Sequence, residues 1–241
     1  MTGEEFLRAL ADQLTNELRP SESIHRFTTN PDVLGAYAEA SLRSFVLKTV
    51  FPLRVCTGAV ISEQLCSEPD KVPQIDTIIW SPSPAPAVYT AGDFGLVPRG
   101  SVFGIMEIKR SAYAGVGPNL AERLDDSRVF SLVADIGRGQ HEAPRSTNDR
   151  NIYPLFPAIG VVVLRKPKQY DTELDRLCAM GRAVVLFDYK DSDLVPNPTA
   201  IHRLVNFLAM TRQRARAMEG AEYVNLQLLE PGGPTMRSSG P

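Results

Sequence analysis

Apolar residues recur along this chain with two different periods, which separate its predicted helices from its predicted strands. Leucines and a phenylalanine at helical spacing over residues 3–18 predict an amphipathic helix that ends near Pro20. A second helix is predicted from Pro31 to about Val50, where apolar side chains again recur every three or four residues. Further helices are predicted over residues 119–136, 171–180 and 198–219.

Short runs rich in Val, Ile and Phe predict strands, and the clearest buried one is Ala158–Leu164. The proline-rich stretch 81–86 cannot sustain a sheet ladder and predicts a rigid turn. Clustered strands followed by alternating helices and strands predict an α/β fold, a mixed β-sheet flanked by helices. The other strands are predicted at residues 54–62, 75–80, 87–90, 94–97, 101–109 and 183–188.

Two segments show neither period. The stretch from Gly137 to Asn151 is rich in Gly, Arg and Asn and is expected to be a mobile loop. The Pro- and Gly-rich residues 231–241 are expected to form a disordered tail. We therefore expect one domain over residues 1–230.

Composition places the chain among ordinary globular proteins. With 241 residues, 43% of them hydrophobic and 22% charged, the protein is large enough for a substantial core. A chain of this size buries roughly 70–75% of its unfolded surface. The formal net charge of −2 means that a nucleic-acid partner would need a local basic surface.

Cysteine usage and the chain start indicate a cytoplasmic protein. The chain has three cysteines, Cys56, Cys66 and Cys178. Their odd number and the absence of CxxC spacing argue against a disulfide framework and a zinc knuckle. Reduced thiols in a cytosol fit best. The first residues are acidic and lack an apolar signal segment, and the longest apolar runs fall far below the ~20 residues of a membrane span. No membrane partner is expected.

Two of the predicted strands carry charge among apolar residues. Asp76 lies in the strand 75–80, and Glu107 and Lys109 lie in the strand 101–109. Burying an unpaired charge is costly, so such groups pair, hydrogen-bond or bind a metal. Because Glu107 and Lys109 are two positions apart, a strand directs them to the same face.

This set of residues has the chemistry that a metal-dependent phosphodiesterase needs. The carboxylates of Asp76 and Glu107, with the backbone carbonyl of Ile108, are oxygen ligands of the kind that Mg²⁺ or Mn²⁺ takes. A divalent cation neutralises phosphate charge and lowers the pKa of its bound water. Lys109 could orient or deprotonate that water, or stabilise the developing charge.

Four segments together resemble a known family. They are Gly35–Glu39, Thr57–Ser62, Gln74–Ile79 and Val102–Lys109. Their order resembles the PD-(D/E)xK, restriction-endonuclease-like superfamily, and more narrowly the bacterial DUF6602 family of uncharacterised function. The similarity covers about residues 32–190. Residue 75 is Ile, so the literal Pro-Asp pair is absent.

The resemblance implies a restriction-endonuclease-like core of order αβββαβ, with an N-terminal helix and a C-terminal αβα extension. It also implies Asp76 and Glu107 as catalytic metal ligands and Lys109 as the catalytic lysine. Glu39 matches the extra acidic residue that some members add to the metal site. A simple ion pair between Glu39 and Arg43, four positions along the helix, explains Glu39 about as well.

The resulting functional hypothesis is a Mg²⁺- or Mn²⁺-dependent nuclease that hydrolyses DNA and that serves, by resemblance alone, in defence against foreign DNA. Its alternative is a catalytically inactive nuclease-fold module that binds or regulates. RNA stays open as a substrate because Asp, Glu and Lys do not read the sugar. A homodimer is compatible with either hypothesis.

Overall fold

The computed structural model describes residues 3–61, 72–83, 86–125, 158–190 and 193–228. Its helices are α1 (Gly3–Ser23), α2 (Pro31–Val50), α3 (described over 116–125), α4 (Thr172–Ala179) and α5 (Pro198–Leu228). Its strands are β1 (Arg54–Ile61), β2 (Ile75–Trp80), β3 (Tyr89–Ala91), β4 (Phe94–Pro98), β5 (Val102–Ser111), β6 (Ala158–Arg165), β7 (Ala183–Lys190) and β8 (Asp193–Pro196).

These strands form one mixed sheet of eight strands in the order β3-β4-β1-β2-β5-β6-β7-β8. β2 is antiparallel to both of its neighbours, β1 and β5. β5, β6 and β7 run parallel to one another, as do β1 and β4. The predicted mixed sheet is therefore confirmed, with the charged strands β2 and β5 side by side at its centre.

Helices cover both faces of the sheet. On one face, α1, α2 and α5 pack with the sheet in the largest core, which includes Phe45 of α2, Ile108 of β5 and Leu204 of α5. On the other face, α3 and α4 contribute Leu120 and Leu174 to a second core against β6 and β7. The apolar residues that predicted the helices thus form the contacts between helices and sheet.

α5 approaches β5 closely at a glycine. A Cβ atom at Gly104 would lie 3.0 Å from the hydroxyl oxygen of Thr211, so only a residue without a side chain leaves room for the helix. Thr211 is fully buried and donates its hydroxyl to the Phe207 carbonyl, which satisfies the donor inside the core. This packing fixes β5 from the side opposite Glu107.

A second close approach joins β1 to β4. Gly58 has φ +138°, and a Cβ atom there would collide with the backbone carbonyl oxygen of Gly95 on β4. The β1–β2 register shifts between Cys56 and Gly58, which marks a bulge at this position. Glycine is therefore required for both its backbone conformation and the strand spacing.

Most predicted elements are confirmed, and α2 and β2 have the predicted boundaries. The expectation that α1 ends near Pro20 is wrong, since the helix continues to Ser23; a proline removes one backbone donor without excluding helical φ. α5 is nine residues longer than predicted, and α3 begins three residues earlier, at residue 116. The edge strand β8 was not predicted, because four residues are too few to show the period of a strand.

Some expectations lie outside the described residues. These are the loop from Gly137 to Asn151, the end of the helix near Ile136, most of the polar loop before Pro73, and the tail 231–241. The single-domain boundary at residue 230 stays a prediction. Among the described helices, none combines the length and the apolar content that crossing a membrane takes.

Candidate metal-dependent catalytic site

The candidate site forms where the central strands β2 and β5 stop pairing with each other. Their regular register runs as far as Thr77 opposite Met106, and Asp76 lies one residue beyond. There the Asp76 carboxylate takes the place of a backbone hydrogen-bond acceptor: its Oδ2 accepts a hydrogen bond from the backbone N–H of Ile108 at 2.7 Å. Continuing the register places Asp76 beside Glu107 on the same face of the sheet.

Glu107 and Lys109 lie on that face, as their spacing predicts. The Lys109 ammonium donates to Oε1 of Glu107 at 2.8 Å. The Glu107 side chain is 9% exposed and that of Lys109 is 22% exposed, so the pair is mostly buried but open to solvent at the ammonium end. The charges of Glu107 and Lys109, each of which would be costly to bury alone, are therefore paired with each other.

The Ile108 carbonyl is placed by the same strand geometry. In an antiparallel ladder the N–H and the C=O of one residue project from the same edge of the strand. Because the Ile108 N–H donates to Asp76, its carbonyl also projects toward the gap between β5 and β2. The three oxygen groups named from the sequence are therefore neighbours.

Glu39 reaches the same place from α2. It lies 3.6 Å from the Arg43 guanidinium, so the ion pair considered from the sequence is present. Its pKa is raised, first by burial and then by the charge of Asp76, while Arg43 and Lys109 act in the lowering direction. Glu39 therefore forms the ion pair with Arg43 and also lies close enough to Asp76 for that carboxylate to raise its pKa.

Burial and neighbouring charges also change the pKa values of Glu107 and Lys109. Burial raises the pKa of Glu107, the Asp76 carboxylate raises it further, and Lys109 and Arg123 oppose that rise. For Lys109, burial alone would lower the pKa, but the hydrogen bond and charge of Glu107 outweigh it and the pKa is raised. Lys109 is accordingly an ammonium in this arrangement, with its proton held toward Glu107.

Two side chains tether the backbone of the strand end that carries Asp76. Arg43 donates from Nη1 to the Asp76 carbonyl at 3.0 Å. Thr57 of β1 donates its hydroxyl to the Ile75 carbonyl, also at 3.0 Å. Neither contact could be predicted from the sequence, because each joins residues that are far apart in the chain.

A small recess of about 10 Å³, room for about one water molecule, opens beside Glu107. Gln74 at the entry to β2 and Arg123 of α3 line it together with apolar residues. Arg123 was not predicted to be a site residue, because the only signal in the sequence of its helix is the helical spacing of apolar residues. It adds positive charge on the α3 side of the Glu107 carboxylate.

The donor chemistry fits a hard divalent cation. Two carboxylates on adjoining strands, of which Asp76 raises the pKa of Glu107, and a backbone carbonyl are ligands that Mg²⁺ or Mn²⁺ accepts. Within the described residues, no three acidic, His or Cys side chains are grouped closely enough to hold an ion by themselves. Mg²⁺ commonly takes only one or two carboxylates and keeps several waters, so Asp76 and Glu107 suffice.

Comparison with solved structures supports the fold. NucC of P. aeruginosa ATCC27853, in its cAAA-bound form, aligns with a TM-score of 0.51 and 16% sequence identity over 88% of this chain and 92% of that chain. NucC of E. coli MS115-1, also cAAA-bound, aligns with a TM-score of 0.53 and 15% identity over 88% and 91%.

Sequence comparisons add nothing to this likeness. No protein-family model matches the chain, and no curated protein matches it. Membership of the DUF6602 family therefore stays a prediction. At 15–16% identity the neighbours show architecture rather than activity. The chain has the restriction-endonuclease-like fold that its motifs predict.

Proposed function

We propose that this protein is a Mg²⁺- or Mn²⁺-dependent nuclease that hydrolyses phosphodiester bonds of DNA, with Asp76, Glu107 and Lys109 as its catalytic residues. One observation carries the proposal: Asp76 and Glu107 lie on adjoining strands at the point where the regular pairing of those strands ends, with Lys109 hydrogen-bonded to Glu107. A role in defence against foreign DNA rests on the sequence resemblance alone.

Each residue has a distinct part in this proposal. When bound, the cation would neutralise phosphate charge and lower the pKa of an attacking water. Asp76 keeps Oδ1 for it, because Oδ2 accepts from Ile108, and Glu107 keeps Oε2, because Oε1 accepts from Lys109. Lys109, hydrogen-bonded to Glu107, would orient the attacking water or stabilise the developing negative charge.

Positive charge near the site supports a phosphate-bearing substrate. Lys109 of β5 and Arg123 of α3 both act on the Glu107 carboxylate, although the chain carries a net charge of −2. Arginine and lysine close to a reacting phosphate provide local attraction that the overall charge does not.

The test is metal-dependent cleavage of plasmid DNA. Wild-type protein with Mg²⁺ or Mn²⁺ is expected to cut, and excess EDTA is expected to stop it. Asp76→Ala and Lys109→Ala should each abolish cutting, whereas Asp12→Ala and Lys48→Ala, on exposed positions of α1 and α2, should not. Cutting that persists in EDTA, or that survives either site substitution, would refute the mechanism.

Two further arms define the substrate and its control. A single-stranded RNA of matched sequence tests whether cleavage is restricted to DNA. Because both neighbours were solved as cAAA-bound forms, the assay is repeated with cAAA, and stimulation would extend the proposal to regulation by that ligand.

The alternative is a nuclease-fold module that binds without cutting. The small number of acidic groups in the site favours it, since no third ligand side chain is grouped with the other two among the described residues. Calorimetric titration with Mn²⁺ separates the two, because a module without a metal site should give no heat that depends on Asp76 and Glu107.

A further inference from the structure

Arg43 occupies an unusual position between α2 and the metal-site strand. Its side chain is only 13% exposed, and its Nη1 donates to the Asp76 carbonyl while lying 3.6 Å from Glu39. Its Nε is buried without a hydrogen-bond partner. Burying a guanidinium is costly, so this arrangement needs a compensating role.

The Asp76 carbonyl, which accepts the hydrogen bond from Arg43, belongs to a residue outside the regular pairing of β2 with β5. The β2–β5 register ends at Thr77, so the Asp76 backbone lies beyond the last regular pair with β5. On the β1 side, Cys56–Gly58 faces Ile75–Ile78, which is one residue longer, so the pairing with β1 is irregular at Asp76 as well. Side chains therefore replace strand pairing where Asp76 must be held still, Arg43 on its own carbonyl and Thr57 on the preceding one.

We propose that Arg43 is a positioning residue that fixes the backbone of Asp76, and with it the free carboxylate oxygen that faces the metal site. Arg43 acts through Asp76 and does not itself bind the cation. The inference rests on the proposed function, because it assumes that Asp76 is a metal ligand.

The position of Arg43 explains why one arginine can serve two purposes. Both contacts come from the same nitrogen, Nη1, which donates to the Asp76 carbonyl and lies 3.6 Å from Oε2 of Glu39, and the rigid plane of the guanidinium fixes the direction of that donor. A lysine keeps the charge but carries it on a flexible stem without this fixed geometry. The conservative variant therefore separates charge from geometry.

Mn²⁺ titration calorimetry tests the inference independently of turnover. Arg43→Ala should weaken Mn²⁺ binding about tenfold or more, the range typical when a residue that orients a metal ligand is removed. Arg43→Lys should fall between the two proteins. Lys48→Ala, on the same helix but paired with Glu17 away from the site, should bind as wild type does.

Kinetics supply a second readout. If Arg43 positions Asp76, Arg43→Ala lowers kcat and shifts the Mn²⁺ dependence, while KM for DNA stays close to wild type. A contribution to folding alone would lower the melting temperature of all Arg43 variants and leave Mn²⁺ affinity unchanged below that temperature. If Arg43→Ala does not fold, Arg43→Lys carries the same measurements.

A double-mutant cycle with Glu39 separates the two contacts that Arg43 makes. Combining Arg43→Ala with Glu39→Gln should retain the loss of Mn²⁺ affinity, because the contact with Asp76 does not depend on Glu39. A loss that disappears in the Glu39→Gln background would overturn the assignment to Asp76. So would a folded Arg43→Ala protein with wild-type affinity, whereas a wild-type protein that neither binds Mn²⁺ nor cuts would refute the proposed function itself.

Discussion

Asp76 and Ile108 join the two central strands by a side chain where the backbone ladder ends. Oδ2 of Asp76 accepts the Ile108 N–H at 2.7 Å, so one carboxylate oxygen closes the sheet and the other stays available to the site. A single residue thereby serves both the fold and the proposed chemistry. The two roles can be separated by substitution.

Asp76→Asn keeps an oxygen acceptor for the Ile108 N–H but removes the charge. We expect it to melt near the wild-type temperature while losing Mn²⁺ binding and DNA cleavage. Asp76→Ala removes the acceptor as well and should also lose about 1–3 kcal/mol of unfolding free energy. Urea unfolding followed by circular dichroism, with the cleavage assay on the same samples, checks both. Equal stability of the two variants would contradict the structural role.

Glu107 and Lys109 should behave as a coupled pair in stability measurements. Lys109→Met leaves a mostly buried carboxylate without its partner and should cost about 1–3 kcal/mol, since hydrogen bonds to charged groups have that magnitude. The double variant Glu107→Gln with Lys109→Met should recover most of that loss, because no unpaired charge is left. Urea unfolding of the four proteins gives the coupling energy, and cleavage should be absent from all three variants. Additive losses would show that the pair does not interact.

Asp171 should make stability depend on acidic pH. Asp171 is a buried residue, 9% exposed, that caps α4 by accepting the N–H of Leu174. Its carboxylate also accepts the N–H groups of Gly115, in the turn before α3, and of Gly117, in the first turn of α3. Burial acts to raise the pKa of Asp171, but these backbone donors outweigh it and the pKa is lowered. A group with a lowered folded-state pKa stabilises the protein above its unfolded pKa, about 3.9, and that contribution is lost as the pH falls through the folded value.

Asp171→Asn is therefore expected to cost about 1–3 kcal/mol at neutral pH and progressively less as the pH falls below about 4. Chemical unfolding from pH 7 to pH 2.5 measures the difference from wild type. Asp12→Asn, on an exposed position of α1, serves as the matched control. A difference that stays constant across this range would mean that the carboxylate charge is not what stabilises the turn.

Gly58→Ala should destabilise the sheet more than the same change at another glycine with positive φ. The new methyl group would collide with the Gly95 carbonyl oxygen, so β1 and β4 must move apart. We expect a loss of about 1–3 kcal/mol from strain and disturbed pairing. Gly92→Ala, with φ +56° and no atom within 4 Å, is the control that carries the backbone cost alone. Thermal melting should place Gly58→Ala clearly below it; coincident melting curves would exclude the steric explanation.

The elements that surround the site could be predicted from local pattern. α2 and β2 have the predicted bounds, since the spacing of apolar residues reflects a period that the backbone imposes within each element. The same locality explains why Glu107 and Lys109 were placed on one face. It also explains the failure at β8, where four residues are too few to show a period.

What the sequence determined by itself is which residues carry chemistry and which element holds each of them. Tertiary structure decided which of them meet. Arg43 and Asp76 are 33 positions apart, and Arg123 reaches Glu107 from another helix. Such contacts depend on strand order and on how the helices pack, which are properties of the whole chain. β2 and β5 are neighbours in the sheet, which brings Asp76 and Glu107 onto adjoining strands, and no period in the sequence encodes which strands become neighbours.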